Sequence, residues 1–179
     1  MSQPIIILEG MTAVGKSTIV KQLHLHIPNL VSFHFPSNSN AKPTTMEEFF
    51  TDMSNHWDKI INNPYPVVLD RWWPSTLIHQ GSGDLQLMAK MFYTFCPPAY
   101  YFLLDLPKNE YLQRIQKNPC NVNKFIDATN AVPEHYESLV FKNREKYLKI
   151  ANILNWPILD ATQSPETITA TIVQTLFFN

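Results

Sequence analysis

The sequence predicts a three-layer α/β fold: one domain over residues 1–179, with a parallel sheet of about five strands and helices on both faces. Three observations carry that reading. Short apolar, β-branched runs alternate along the chain with stretches of helical patterning. The first such run leads straight into a glycine loop and then a helix. The third ends in Asp70-Arg71, which sets charge at the carboxyl edge of the sheet, where folds of this class bind ligands.

The elements follow in order. Pro4-Ile5-Ile6-Ile7-Leu8 reads as a buried parallel strand, and Thr18 to Leu23 as the first turns of a helix. Val31-Ser32-Phe33-His34-Phe35 alternates and stops at Pro36, as a second strand. Residues 37–43 are polar and read as a loop. Thr44 or Thr45 then caps a helix over about 46–62, with Glu47 and Glu48 in its first turn. Pro66 to Asp70 is a third strand. A helix over 84–95 follows Gly81-Ser82-Gly83, and Pro97-Pro98 ends it. Tyr100 to Asp105 is the fourth strand, and Pro107 starts a helix reaching about Gln116. Residues 117–131 are polar and irregular and read as a mobile loop. Glu134 to Asn152 is a long helix behind Pro133. Trp156 to Asp160 is a short last strand, and Ser164-Pro165-Glu166 opens a last helix.

Composition narrows the function classes. A formal net charge of −1 argues against a broad nucleic-acid or membrane surface. Cys96 and Cys120 have no metal-binding spacing, no secretory signal stands out, and no apolar run approaches a membrane span. The expected location is therefore intracellular and cytoplasmic. The arginines are Arg71, Arg114 and Arg144, so any arginine clamp on phosphate must come from these three.

The first chemical signal is Gly10-Met11-Thr12-Ala13-Val14-Gly15-Lys16-Ser17, which fits G-x-x-x-x-G-K-[ST] in its strand-loop-helix context. Glycines let backbone N–H groups close around phosphate oxygens, and the helix N-terminus adds positive dipole. Lys16 is expected to reach the β- and γ-phosphates, and the Ser17 hydroxyl to ligate Mg²⁺. The second signal is Val67-Val68-Leu69-Asp70-Arg71. Asp70 is placed to hold Mg²⁺ or its water, or to take a proton from an attacking oxygen. Arg71 offers a planar fork for an anionic acceptor. Phosphoryl transfer asks mainly for positioning and charge neutralisation, which this set supplies.

Ile7-Leu8-Glu9-Gly10 through Thr18 resembles the E-G-x-x-x-x-G-K-[ST]-T opening shared by thymidylate kinases and deoxynucleoside kinases. Asp70-Arg71-Trp72-Trp73-Pro74-Ser75 resembles the D-R-Y-x-x-S element of thymidylate kinases. Phe35-Pro36, Asn55-His56-Trp57-Asp58 and Asn155 to Ala161 are similar to further segments of that family, in the same order. The resemblance implies a P-loop nucleoside monophosphate kinase that moves the γ-phosphoryl of ATP, with Mg²⁺, onto a deoxynucleoside monophosphate, dTMP foremost. By position it assigns ATP to Gly10 through Thr18, catalysis to Lys16, Asp70, Arg71 and Arg114, and metal to Ser17 and Asp70. Acceptor binding falls to Glu9, Phe35, Phe50, His56, Arg71, Trp72 and Ser75. A homodimer is a further expectation from the resemblance.

Several positions depart from the family. No arginine follows Phe35-Pro36, and His56 stands where some members carry arginine. Phe49 and Phe50 would stack a base or pack the core, and Trp72 and Trp73 would shape the acceptor pocket or fill the core. The resemblance makes 117–131 a short lid over ATP, for which Arg114 at the end of the preceding helix is the arginine and Lys117 and Lys124 would assist with charge but without a fork. Arg144, inside the long helix, is expected to pair with a carboxylate. His24 and His26, two apart on a helix, do not face one another and make no metal pair. Two other readings remain open at this level: a deoxynucleoside kinase accepting a sugar hydroxyl, and a regulatory nucleotide-binding protein.

Overall fold

The computed structural model describes residues 3–34, 46–80, 98–118 and 135–178. Strand β1 (Ile5–Glu9) leads through the glycine loop into α1 (Lys16–His26). Then come β2 (Val31–His34), α2 (Met46–Ile61), β3 (Val67–Asp70) and α3 (Trp73–Gln80). The described remainder is β4 (Tyr100–Asp105), α4 (Lys108–Lys117), α5 (Tyr136–Leu154), β5 (Ile158–Asp160) and α6 (Pro165–Phe178). The expected helix over 84–95, residues 119–131 of the expected lid, Phe35 and both cysteines lie outside the described residues.

The strands form one sheet of five, in the order β2-β3-β1-β4-β5, and every pairing is parallel. The sheet turns both ways from β1, so the crevice at its carboxyl end is the expected ligand site. Register brings Asp70 beside Leu8 and His34 beside Asp70. The strand-end charges and the glycine loop therefore share one edge.

Alternation along the strands builds two apolar layers. Ile6, Leu8, Val68, Phe102 and Leu104 pack on one face with Ile19 and Leu23 of α1 and Ile168 and Ile172 of α6. Ile7, Val67, Leu69, Tyr101 and Leu103 pack on the other with Ile60 of α2, Ile78 of α3 and Ile150 of α5. Each fully buried side chain of this size contributes about 1.5–3 kcal/mol. The long helix α5 serves both layers. Tyr136 and Val140 join the first, Tyr147 and Ile150 the second. It ends at Asn155 in the left-handed region (φ 54°), a conformation asparagine tolerates.

Helix α3 is a finding, since the sequence reading assigned no helix there. Pro74 sits in its first turn, where a missing N–H costs nothing. Trp73 is fully buried against Tyr101 and Trp156, with ring centroids 6.4 and 6.1 Å away, and anchors the helix to the sheet.

Candidate active site

The loop between β1 and α1 is shaped by backbone demands. Gly10 has φ 137° and Gly15 φ 110°, both in the region that favours glycine. A Cβ on Gly10 would lie 2.4 Å from the carbonyl oxygen of Leu104, so β4 comes too close for any side chain there. Thr18 N and Ile19 N donate to Gly15 O at 3.0 and 3.1 Å and start the helix. Lys16 is buried, and its Nζ donates to Gly10 O at 3.0 Å and Met11 O at 2.7 Å. Two of its three hydrogens brace the loop, leaving one for a phosphate oxygen. Burial, then the Arg71 charge, pull its pKa well below the usual lysine value, against the opposing pull of Asp70 and Glu9.

Ser17 Oγ donates to Asp70 Oδ2 at 2.7 Å. The other oxygen, Oδ1, is buried and has no hydrogen-bond partner among the described residues. Such an orphan in a largely buried carboxylate fits a cation ligand, and a hydroxyl beside it completes a pair of hard oxygens. No cluster of three or more His, Cys, Asp or Glu suited to a metal occurs among the described residues. A Mg²⁺ held by one or two protein oxygens plus nucleotide phosphates needs none. Burial opposes the charged form of Asp70, but the nearby His34 imidazole, the Lys16 charge, the Ser17 hydroxyl and Arg71 outweigh it. The carboxyl is held well below its usual range.

Arg71 sits just past β3 with φ 76°, a left-handed backbone at a residue with a Cβ. Its Nη1 has two hydrogens for three acceptors, Gly10 O (3.1 Å), Ser75 Oγ (3.0 Å) and Tyr147 Oη (2.9 Å), so one hydrogen is shared, and its Nη2 donates to Thr12 Oγ1 (3.3 Å). Glu9 is fully buried behind it. Its Oε1 accepts from Trp72 N and its Oε2 from Ser75 Oγ, each at 2.7 Å. Burial is the main influence and raises the Glu9 pKa; the Ser75 hydroxyl and the Arg71 charge lessen the rise. Arg71 is one residue past Asp70 and is tied to the glycine loop through Gly10 O and Thr12 Oγ1.

The structure brings Gly10 to Thr18, Asp70 and Arg71 together, as the motif spacing implied. It changes the parts given to Glu9, Ser75 and Trp72. These were expected at the acceptor surface, but all three are buried, Ser75 bonded to Arg71 and Trp72 packed on Trp57. Glu9 and Ser75 support Arg71, and Trp72 enters the network through its backbone N–H. Trp72 and Trp73 are core side chains, the first packed on Trp57 at 5.5 Å. His56 is half-buried on α2, while the side chain of Phe50 lies outside what is described. Arg114 lies in the last turn of α4, at the end of the helix before the expected lid, as expected. Its Nη1 donates to Val14 O at 2.9 Å and its Nη2 to Ala161 O at 2.5 Å, so it clips the glycine loop to the turn after β5. Arg144 makes a two-bond ion pair with Asp105, both at 2.7 Å, as expected of a helix arginine. Tyr147 escaped the sequence reading. A tyrosine at core spacing on a helix carries no signal that its hydroxyl meets an arginine 76 residues away.

A sequence profile described as "Thymidylate kinase" matches residues 37–172. The chain belongs to the thymidylate kinase family. That match begins after the glycine loop, so the loop and the profile support the assignment separately. A thymidylate kinase of Prochlorococcus marinus (strain AS9601) is 26% identical over a 220-residue alignment covering 100% of this chain and 98% of that protein. A probable thymidylate kinase 1 of Saccharolobus solfataricus is also 26% identical, covering 93% of each chain. Among solved structures, thymidylate kinase from Candida albicans superposes with a TM-score of 0.64 at 14% identity, covering 98% of this chain and 91% of that one. Deoxyadenosine kinase from M. mycoides reaches 0.58 at 18% identity, covering 96% and 98%. At these identities the structural likeness speaks for the three-layer P-loop kinase fold; the family assignment makes the chain a nucleoside monophosphate kinase of the thymidylate kinase type.

Proposed function

We infer that this chain transfers the γ-phosphoryl of ATP to dTMP, giving dTDP and ADP. The observation that carries the reading is the convergence of the glycine loop, the Ser17–Asp70 pair and Arg71 on one edge of the sheet, in a chain of the thymidylate kinase family. An oxygen of the acceptor phosphate attacks the γ-phosphorus, and the bond to the β–γ bridging oxygen breaks as ADP leaves. The backbone N–H groups of residues 10–18 cradle the donor phosphates. Lys16 gives its remaining hydrogen to a phosphate oxygen, which restores its charge against the burial that depresses it. Arg71 keeps Nε and one Nη2 hydrogen without an acceptor among the described residues, and these grip the acceptor phosphate. Ser17 and Asp70 would hold Mg²⁺, which neutralises phosphate charge when bound with ATP. Arg114 keeps the loop seated as phosphates enter.

A cytoplasmic location suits a consumer of ATP; among the described residues no helix is long and apolar enough to cross a membrane. A homodimer remains part of the proposal from family resemblance.

The test is coupled ADP release with ATP and Mg²⁺ against a panel of nucleosides and nucleoside monophosphates. Turnover with dTMP and none with thymidine is expected. Turnover with nucleosides alone would overturn the reading in favour of a deoxynucleoside kinase.

A further inference from the structure

Tyr147 stands 76 residues from Arg71 in sequence, yet its phenol is buried against the guanidinium at 2.9 Å. The hydrogen positions around it can be worked out. Ser75 Oγ has a single hydrogen, which goes to Glu9 Oε2 at 2.7 Å. The 2.8 Å contact between Tyr147 and Ser75 therefore runs from the phenol to the serine. Arg71 Nη1, with two hydrogens for Gly10 O, Ser75 and Tyr147, shares them among the three, with the phenol at 2.9 Å the shortest contact and Ser75 at 3.0 Å. The phenol thus accepts from Arg71 while donating to Ser75, which fixes its orientation.

Helix α5 makes that phenol a firm point. One turn before it, Arg144 is tied to Asp105 at the end of β4 by two 2.7 Å bonds. One residue before it, Lys146 Nζ donates to Ile78 O at 3.0 Å and ties α5 to α3. Arg71 needs such a point, because its backbone holds φ 76°, unfavourable for any residue but glycine.

We propose that Tyr147 is the positioning residue for Arg71. Its phenol fixes the guanidinium to α5, so that Nε and the remaining Nη2 hydrogen are set for the acceptor phosphate. The proposal deepens the phosphoryl-transfer reading above and rests on it.

Tyr147→Phe keeps the ring, while Arg71 keeps Gly10 O and Ser75, and Ser75 keeps Glu9. Steady-state kinetics should show the KM for dTMP rising about ten-fold, the loss of one hydrogen bond to a charged group. The KM for ATP and kcat should stay within about two-fold. In an Arg71→Ala background the same change should add nothing to the dTMP KM. A role in folding alone would lower the melting temperature and move both substrates together. An unchanged dTMP KM, or an equal increment on Arg71→Ala, overturns the proposal and leaves the reaction standing. Absence of dTMP turnover by the wild type overturns the reaction, and this role with it. Should Tyr147→Phe prove too unstable to assay, Tyr147→His keeps a ring but draws the polar atom back from Arg71, and a rise confined to the dTMP KM is again expected; no rise, or an equal rise for ATP, overturns the proposal.

Discussion

Single residues show how far chemistry can be read from letters. Lys16 and Ser17 stood out as a glycine-loop motif and Asp70 as a strand-end carboxylate, and the structure seats Ser17 2.7 Å from Asp70. Glu9 was legible as a member of the site but not in its role. Only the fold reveals that it lies fully buried, with Ser75 and Trp72 N as its partners. That placement gives a pH prediction. Burial raises the folded pKa of Glu9 above its ordinary value of 4.5, towards neutrality. The associated stability is fully present below that ordinary value and is lost as pH rises through the folded one. Glu9→Gln removes the titration, so its unfolding free energy, measured in urea, should vary less from about pH 4.5 to 7 than that of the wild type. Lys16, with its lowered pKa, loses stability on falling pH instead, and its window lies from neutrality upwards. Equal slopes for variant and wild type would show that Glu9 does not titrate in this way.

At the level of elements, strands with alternating or uniformly apolar residues were found within a residue or two, since burial dictates them. Helix α3 was not, because Trp72-Trp73-Pro74 offers no helical period and the helix is held by tertiary packing of Trp73. Helix α5 was found by its pattern, yet its work lies in contacts that pattern cannot encode. Arg144 grips Asp105, Lys146 reaches α3, and Tyr147 reaches Arg71. If the Arg144–Asp105 pair seats this helix on β4, a double-mutant cycle of Arg144→Ala and Asp105→Ala should give a coupling of about 1 kcal/mol in unfolding experiments, as for a well-aligned but partly exposed pair. Additive losses would mean that apolar packing alone seats α5. Arg114 makes the same point. Its place at the end of the helix before the lid was legible, but not that it joins the carbonyl groups of Val14 and Ala161.

For the molecule as a whole, alternation of strands and helices foretold a parallel sheet covered on both faces, and the structure has it in the order β2-β3-β1-β4-β5. The order itself was not legible, because no local pattern says which strands are neighbours. It matters for function. Pairing β1 with both β3 and β4 sets Asp70 next to Leu8 and Leu104 against Gly10, and this builds the site from three strand ends. If this edge moves phosphoryl from ATP to a nucleoside monophosphate, the label on the γ-phosphate must follow it. The most direct measurement follows ATP radiolabelled in its γ-phosphate, incubated with Mg²⁺ and dTMP, with wild type and Lys16→Ala compared by chromatography of the products. The account predicts label in dTDP with the wild type and at least about a hundred-fold less with Lys16→Ala, the scale of losing a charge that stabilises the transition state. Label in inorganic phosphate alone, or undiminished transfer by Lys16→Ala, would contradict it.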